Sequence, residues 1–345
     1  MVGATGNIGT ALLDALVADA DITRIRALAR RVPERRWEKT AFESVDLTRD
    51  DLRRHVRGAD AVVHLGWIFQ PTHHPLRTWE VNVVGSMRLF DAVVAEGVST
   101  LVYSSSVGAY SPGTGDHPVD ESWPTNSLPT AGYGREKSYL ERVLDAVEAR
   151  NPELRVVRLR PGFVFQHDSG TQQRRLFAGP FAPATLLRPG LLPVVPFPAG
   201  LRFQALHASD AAQAFHLAIN NDRARGAFNI AADPVIDAGA LGDVLGAKPV
   251  VVPSRLVRGI LTPAWWAHLV PAEPALFDLA MGLPLMQTER ARTQLAWSPR
   301  ISATDALRSA LFGMSAGAGG DTPPLEKDSV RGRAHEVAAG VGRTA

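Results

Sequence analysis

The pattern of apolar positions in the first half of the chain switches repeatedly between two periods, one typical of buried strands and one typical of helices. Between residues 78–97 and 134–149, apolar side chains recur at helical spacing. Because strands that alternate with helices form parallel sheets covered on both faces, the pattern predicts a doubly wound α/β fold. Short apolar runs predict the strands, at residues 22–29, 61–65, 101–104 and 156–159.

The periodicity changes after about residue 170. Residues 177–201 are rich in Pro and Gly and have no clean period, which predicts loops and short elements over a cleft. Regular patterns return in a predicted helix at residues 210–219 and a predicted strand at 226–232. From Ser315 onward large apolar residues are few and charges are balanced, which predicts disorder. The sequence predicts a first unit formed by residues 1–170 together with 205–235. It predicts a second unit formed by residues 171–204 and 236–312, and a disordered tail at 313–345.

Composition narrows the class of protein. Of the 345 residues, 45% are hydrophobic, enough for a sizeable core. Lys and Arg number 37 and Asp and Glu 35, a net charge of +2 without a dense basic run, so we expect no nucleic-acid partner. The absence of cysteine excludes disulfides and thiolate catalysis and is compatible with a cytoplasmic location. No apolar run is long enough to span a bilayer, and we expect no membrane partner.

The chain begins with a glycine-rich segment, MVGATGNIG, in which Gly3, Gly6 and Gly9 are three apart. A helical pattern follows immediately. Such a loop allows a tight turn, a close approach of the backbone to a pyrophosphate, and stabilisation of the phosphate charge by a helix N-terminus. Small residues in any turn before a helix would look alike, so the motif needs partners elsewhere in the chain.

The buried strand that normally precedes a glycine loop is almost missing, since only Met1 and Val2 come before Gly3. In a doubly wound sheet this strand is central. We therefore expect the natural coding sequence to start further upstream and to supply about five to eight apolar residues.

Tyr133 and Lys137, in the segment YGREK, are four residues apart and share one face of a predicted helix. A phenol has an unperturbed pKa of about 10, and an adjacent ammonium lowers it by stabilising the phenolate. Any amphipathic helix can carry Tyr and Lys at this spacing. However, an apolar strand that runs into Ser104, Ser105 and Ser106 could place a hydroxyl beside the phenol to hold a substrate carbonyl.

Together these segments resemble the extended short-chain dehydrogenase/reductase family, the NAD(P)-dependent epimerase/dehydratase group. The resemblance implies a Rossmann-type sheet with a smaller C-terminal substrate-binding region. It implies Tyr133 as proton donor and acceptor, Lys137 as its pKa partner and a ribose contact, Asn82 as a helix residue that supports the site, and Ser106 (or Ser105) as the carbonyl-binding hydroxyl. It covers about residues 1–312 and rests on GATGNIG, the SSS run, YGREK, LRPGFVF, LHASDAAQAF and TERARTQLAWSPR.

The same resemblance implies cofactor contacts at the carboxyl ends of the first strands. NAD-preferring relatives carry an acidic residue at the end of the second strand, where this chain has Ala29 followed by two arginines. Guanidinium groups bind a 2′-phosphate that an acidic group would repel, so the sequence favours NADP over NAD. The implied cofactor-binding residues are Gly3, Thr5, Gly6, Asn7, Ile8, Gly9, Arg30, Arg31, Asp46, Leu47, Leu65, Gly66 and Lys137.

Three functions are compatible with the sequence. The first is an NADP-dependent oxidoreductase of a small, apolar carbonyl compound, favoured because Phe163 stands where sugar-nucleotide members usually have asparagine and Gln166 where they usually have glycine. Trp265 and Trp266 would suit such a pocket but would equally suit a core. The second is a sugar-nucleotide epimerase or dehydratase that retains NAD, and the third a non-catalytic cofactor sensor. We expect a small-molecule substrate, no metal site and assembly as a homodimer.

Overall fold

A computed structural model describes residues 1–70, 72–113 and 117–342. Its main sheet is parallel, with β1 next to β2 in one part and the order β3-β4-β5-β9 in the other. The predicted doubly wound parallel sheet is confirmed. Its strands are β1 (Ile25–Ala29), β2 (Thr40–Ser44), β3 (Ala61–His64), β4 (Thr100–Ser104), β5 (Arg155–Pro161) and β9 (Gly226–Ile230).

Val2 occupies the position between the two parts of the sheet. It pairs in parallel with Leu28 of β1 and His64 of β3. Its N–H donates to the Val63 carbonyl at 2.8 Å, and its own carbonyl accepts from the Leu65 N–H at 2.9 Å. The glycine loop therefore leaves the sheet at its centre, between β1 and β3, as the doubly wound arrangement requires.

Helices cover both faces of this sheet, and the side chains of β4 show the two faces. Val102 packs with α1 and α7 in one core cluster, whereas Leu101 and Tyr103 pack with α4 and α5 in another. This alternation follows from the period of two in a strand. The helices of this region are α1 (Asn7–Ala18), α2 (Arg53–Val56), α3 (Pro75–Trp79), α4 (Gly85–Ala95), α5 (Gly132–Arg150) and α7 (Ala208–Asn220).

The smaller region is built on β8, which pairs in parallel with β6 and antiparallel with β10. Strands β7 and β11 pair in parallel with each other and form a second sheet of two strands. The strands are β6 (Phe163–Phe165), β7 (Val194–Pro198), β8 (Phe203–His207), β10 (Ala232–Ile236) and β11 (Lys248–Val252). The helices are α6 (Gly170–Gln173), α8 (Ala238–Leu245), α9 (Ser254–Trp266), α10 (Pro274–Gly282), α11 (Glu289–Gln294), α12 (Ala303–Ala316) and α13 (Val330–Ala339).

The structure differs from the predicted disorder of residues 313–345. Helix α12 continues to Ala316, and α13 follows in the tail. Leu325 is buried, and the side chains of Asp328 and Glu336 pair with the buried Arg174. Composition alone predicted disorder because it does not reveal the ion pairs between these carboxylates and Arg174, which is distant in the sequence. Residues 343–345 lie outside the described part of the chain.

Across the described ranges, no helix combines the length and the apolar character that crossing a bilayer requires.

Candidate active site

The glycine loop has the geometry of an anion-binding turn. Gly3 has a φ of +79°, which favours glycine. A Cβ on Gly9 would lie 2.3 Å from the Gly3 carbonyl oxygen, so only glycine lets α1 pack this closely. Helix α1 begins at Asn7, directly after Gly6, which has no side chain to cap the first N–H groups. These N–H groups are therefore available to a bound anion.

Tyr133, Lys137 and Ser106 come together where α5 passes the end of β4. Tyr133 and Lys137 lie on the first two turns of α5, and Ser106 follows β4. The Ser106 hydroxyl accepts a hydrogen bond from the Gly108 N–H at 2.9 Å and interacts with the Tyr133 phenol. A Cβ on Gly108 would lie 2.8 Å from Tyr133 Cε1, so glycine at this position leaves room for the phenol beside Ser106.

Lys137 is held in a buried position by three different contacts. Its Nζ donates to the Ser104 carbonyl at 2.7 Å and to the Tyr103 hydroxyl at 3.4 Å. It also lies 3.6 Å from the centre of the Trp67 ring, a cation–π contact. Burial lowers the pKa of Lys137 to about 7, although the carboxylates of Glu136 and Glu141 raise it.

The pKa of Tyr133 moves in the opposite direction from the sequence prediction. Burial raises it to about 12, the Ser106 hydroxyl lowers it less, and the Glu136 carboxylate raises it slightly. The Tyr133 ring is stacked on Phe69 with 4.8 Å between ring centres and meets Trp67 edge-on at 5.7 Å. Because Lys137 is hydrogen-bonded to the Ser104 carbonyl and lies over the Trp67 ring, burial is the main influence on the pKa of Tyr133. The chain alone therefore holds Tyr133 protonated at neutral pH.

Asn82 lies in a π-helical turn, Glu80–Val84, between α3 and α4 and is buried. Its side-chain amide accepts a hydrogen bond from the Ile68 N–H at 2.9 Å and donates one to the Ile68 carbonyl at 2.8 Å. It also donates to Glu136 at 2.7 Å, and Thr78 donates to the other oxygen of that carboxylate at 2.6 Å. Asn82 thus connects α5 to the segment that carries Trp67 and Phe69.

A cavity of about 560 Å³ opens between these elements. One side is formed by the glycine loop, Leu65, Ser106, Tyr133 and Lys137. The lining residues from 161 onward are almost entirely apolar, and their polar side chains in the described chain are those of Gln172 and Gln173. Their apolar side chains include Phe163, Leu176, Phe177, Leu201, Val257, Leu261, Leu276 and Phe277.

The remaining predicted residues lie around this cavity and do not line it. Arg30 and Arg31 follow β1, and burial and the neighbouring Arg31 and Arg77 guanidinium groups lower the pKa of Arg30. The Asp46 carboxylate accepts hydrogen bonds from the N–H and hydroxyl of Thr48, at 2.9 and 2.7 Å, and so closes its own turn. The residues outside the cavity wall are Thr5, Arg30, Arg31, Asp46, Leu47, Gly66 and Asn82.

The residues present fit a dinucleotide. The uncapped start of α1 offers N–H groups to a pyrophosphate, and a Cβ on Gly3 would lie 2.6 Å from the Gly66 nitrogen, so the loop and the segment after β3 form a narrow floor. The buried Asn7 Oδ1 has no hydrogen-bond partner within the described chain. Among the described residues, none of the His, Asp and Glu side chains cluster in a way that could hold a metal ion.

Several site residues were missed from the sequence. Trp67, Phe69, Glu136 and Phe177 contact the catalytic candidates or line the cavity. Position was the one available signal, since Trp67 follows β3 and Glu136 lies inside the YGREK segment, whereas nothing in the sequence distinguishes Phe69 and Phe177 from core residues. Trp265 and Trp266, by contrast, are not part of the cavity wall: Trp265 stacks on His73 at 4.0 Å, and Trp266 is 68% exposed.

Comparison with known proteins gives consistent results. The sequence model of the NAD dependent epimerase/dehydratase family matches residues 1–231. UDP-glucose 4-epimerase from Mus musculus is 31% identical over 122 residues, 33% of this chain and 34% of that protein. The decarboxylating sterol-4-alpha-carboxylate 3-dehydrogenase of Saccharomyces cerevisiae is 28% identical over 192 residues, 52% of this chain and 53% of that protein. The chain thus spans between a third and about half of the length of these relatives.

The fold is shared over nearly the whole chain. The crystal structure of UDP-glucose 4-epimerase from Thermus thermophilus in complex with NAD aligns with a TM-score of 0.67, covering 92% of this chain and 98% of that one. The identity is 22%, so this likeness concerns the fold.

Proposed function

Because the chain belongs to the NAD-dependent epimerase/dehydratase family, we propose that it is an oxidoreductase that transfers a hydride between a nicotinamide cofactor and the carbonyl or hydroxyl carbon of a small apolar substrate. The single observation that carries this proposal is the apolar lining of the cavity that contains Tyr133. Most of these apolar side chains come from residues 171–204 and 236–312, which we propose as the substrate-binding region.

In this proposal a nicotinamide, when bound, would supply or accept the hydride. Tyr133 gives a proton to the substrate oxygen during reduction, and its high pKa keeps that proton available at neutral pH. Ser106, whose hydroxyl interacts with the phenol, polarises the same oxygen. Lys137 and Asn82 act as positioning residues, the first beside Tyr133 and the second through Ile68 and Glu136.

Sugar-nucleotide epimerisation is the second candidate, because UDP-glucose 4-epimerases are among the relatives. A sugar nucleotide brings a diphosphate into the substrate half of the site, and such groups are usually held by arginine forks. Of the described residues that line the cavity, Lys137 is the one with a cationic side chain, and it faces the serine run. This distribution of charge favours an apolar carbonyl compound over a sugar nucleotide.

A substrate screen tests the proposed function. We expect purified protein to oxidise NADPH in the presence of apolar ketones, such as cyclic, aryl or sterol ketones, and to leave UDP-glucose and UDP-galactose unchanged. The Tyr133→Phe variant serves as the inactive control in the same screen. Interconversion of UDP-sugars without net NADPH oxidation would overturn the proposal in favour of the epimerase.

We also propose that NADP is the preferred cofactor. Arg30 and Arg31 follow β1 directly, and Arg77 lies near enough to influence the pKa of Arg30. Arg77 is paired with Glu80, and the Asp46 carboxylate offsets only part of the repulsion between Arg30 and Arg31, so a dianionic 2′-phosphate would relieve what remains. The adjacent Asp46 is already engaged by Thr48, so it does not replace the acidic residue that binds the ribose of NAD.

Replacing Arg30 and Arg31 with alanine is expected to raise the Kd for NADPH at least about tenfold and to leave the Kd for NADH nearly unchanged, because charge-assisted bonds to the 2′-phosphate are lost. Isothermal titration of both cofactors measures this. Arg36→Ala, which removes an exposed arginine from the following loop, is the matched control. Equal affinity of the unmodified protein for NADH and NADPH would contradict the assignment.

A further inference from the structure

Residues 317–342, here called the C-terminal strap, lie beyond the family match at 1–231 and are bound to the body of the protein through Arg174. The Arg174 side chain is only 1% exposed and donates to Glu336 at 2.7 and 3.1 Å and to Asp328 at 3.4 Å. Burying a guanidinium without counter-charges costs free energy, so the two carboxylates of the strap stabilise Arg174 in its buried position.

The strap also contacts elements of the cofactor site. The buried Thr322 hydroxyl donates to the Thr5 carbonyl of the glycine loop at 2.7 Å. Next to it, the Pro324 carbonyl accepts from Arg175 at 2.7 Å. The strap therefore bridges the glycine loop and the turn that follows α6.

A second, smaller cavity lies between the strap and α1. It has a volume of about 220 Å³ and is lined by Thr10 and Asp14 of α1 and by Asp321 and Thr322 of the strap. At its base the strap is fixed to α6 as well, since the Thr171 N–H donates to the Ala318 carbonyl at 3.0 Å.

We propose that the C-terminal strap is part of the cofactor site and closes the groove at the glycine loop. Cofactor release then requires the strap to move, because Thr322 binds the loop while Pro324 binds Arg175, which directly precedes Leu176 and Phe177 of the cavity wall. This inference rests on the proposed function, in that it assumes a dinucleotide bound along the glycine loop. It makes the strap a determinant of how long the cofactor stays bound.

Dissociation of NADPH tests the proposal directly. A chain that ends at Ala316 is compared with the full chain by stopped flow, with NADPH fluorescence followed after addition of excess NADP. We expect the truncated chain to release NADPH faster by roughly one to two orders of magnitude, as for the loss of a closing segment. Hydrogen exchange of residues 320–342 in the full chain should slow when NADPH is added.

Truncation also removes both carboxylate partners of Arg174 and can destabilise the fold, so point variants are needed. Thr322→Val removes only the hydrogen bond to the glycine loop and should speed release roughly two- to tenfold. Thr293→Val is the matched control, because its hydroxyl also donates to a main-chain carbonyl, that of Glu289, but on an exposed helix outside the cofactor site. We expect no change in release for this control.

The outcomes separate the strap from the proposed function. Unchanged release rates in both strap variants would overturn the strap proposal and leave the oxidoreductase intact. Tighter NADPH binding after truncation would also overturn it, since the strap would then obstruct the groove. If the full chain binds neither NADPH nor NADH, the proposed function fails, and the strap proposal fails with it.

Discussion

Phenylalanine in place of Tyr133 is expected to lower kcat by about three orders of magnitude and to leave the Kd for NADPH nearly unchanged. The substitution removes only the hydroxyl that carries the proton. The ring keeps its stacking on Phe69 at 4.8 Å and its contact with Trp67, so the fold around the site should not change. Steady-state kinetics with an accepted ketone, together with NADPH titration, measures both effects.

Tyr139→Phe provides the control for this experiment. Tyr139 lies on the same helix, is 41% exposed and packs against Trp79 at 5.0 Å, away from the cavity. We expect its loss of a hydroxyl to leave kcat within about twofold of the unmodified value, as for most surface changes. A Tyr133→Phe variant that kept most of its activity would assign the proton to another group.

Alanine at Gly9 is expected to abolish cofactor binding and to destabilise the protein. The added Cβ would lie 2.3 Å from the Gly3 carbonyl oxygen and 2.7 Å from the Ala4 carbonyl carbon, both backbone atoms that cannot rotate away. Helix α1 must therefore move away from the loop, and its N–H groups no longer converge on the pyrophosphate. We expect a loss of about 1 to 3 kcal/mol of unfolding free energy and no measurable NADPH binding.

Gly259→Ala is the matched control for Gly9→Ala. Gly259 lies in α9, and its Cβ would have no heavy atom within 4 Å. Alanine there should leave binding unchanged and increase stability slightly, because glycine is the poorer helix former. Thermal melting with and without NADPH distinguishes the two variants. A Gly9→Ala protein that gained as much from NADPH as the parent would contradict the role of the loop.

Much of the fold could be predicted because its signals are local. Alternating periods identified the strands and helices of the parallel sheet, and spacing alone placed Tyr133 and Lys137 on one face of α5. The glycine loop, the serine after β4 and this pair then meet at one cavity, because the carboxyl ends of parallel strands lie on one edge of the sheet.

The charge state of the site could not be predicted in the same way. Tyr133 and Lys137 were expected to act as a directly coupled pair, but the structure surrounds each with apolar rings and main-chain carbonyls, so burial governs both pKa values. The link from Asn82 to Ile68 and Glu136 depends on a π-helical turn whose position the apolar pattern does not show. Likewise, the ion pair between Arg174 and Glu336 of the C-terminal strap joins distant parts of the chain, which a local pattern does not show.

The buried ammonium of Lys137 has a consequence for attempts to make this protein more robust. Its pKa falls from 10.5 in the unfolded reference to about 7 in the fold, so the unfolded chain binds more protons between these values. Stability from this group therefore increases as pH rises from about 7 to about 10, and at neutral pH the charged lysine weakens the fold. Laboratory evolution that selects for heat resistance alone would tend to replace Lys137 with an apolar residue and discard turnover. A selection that alternates heating with a catalytic assay would retain it, and stabilising changes would then accumulate elsewhere in the chain.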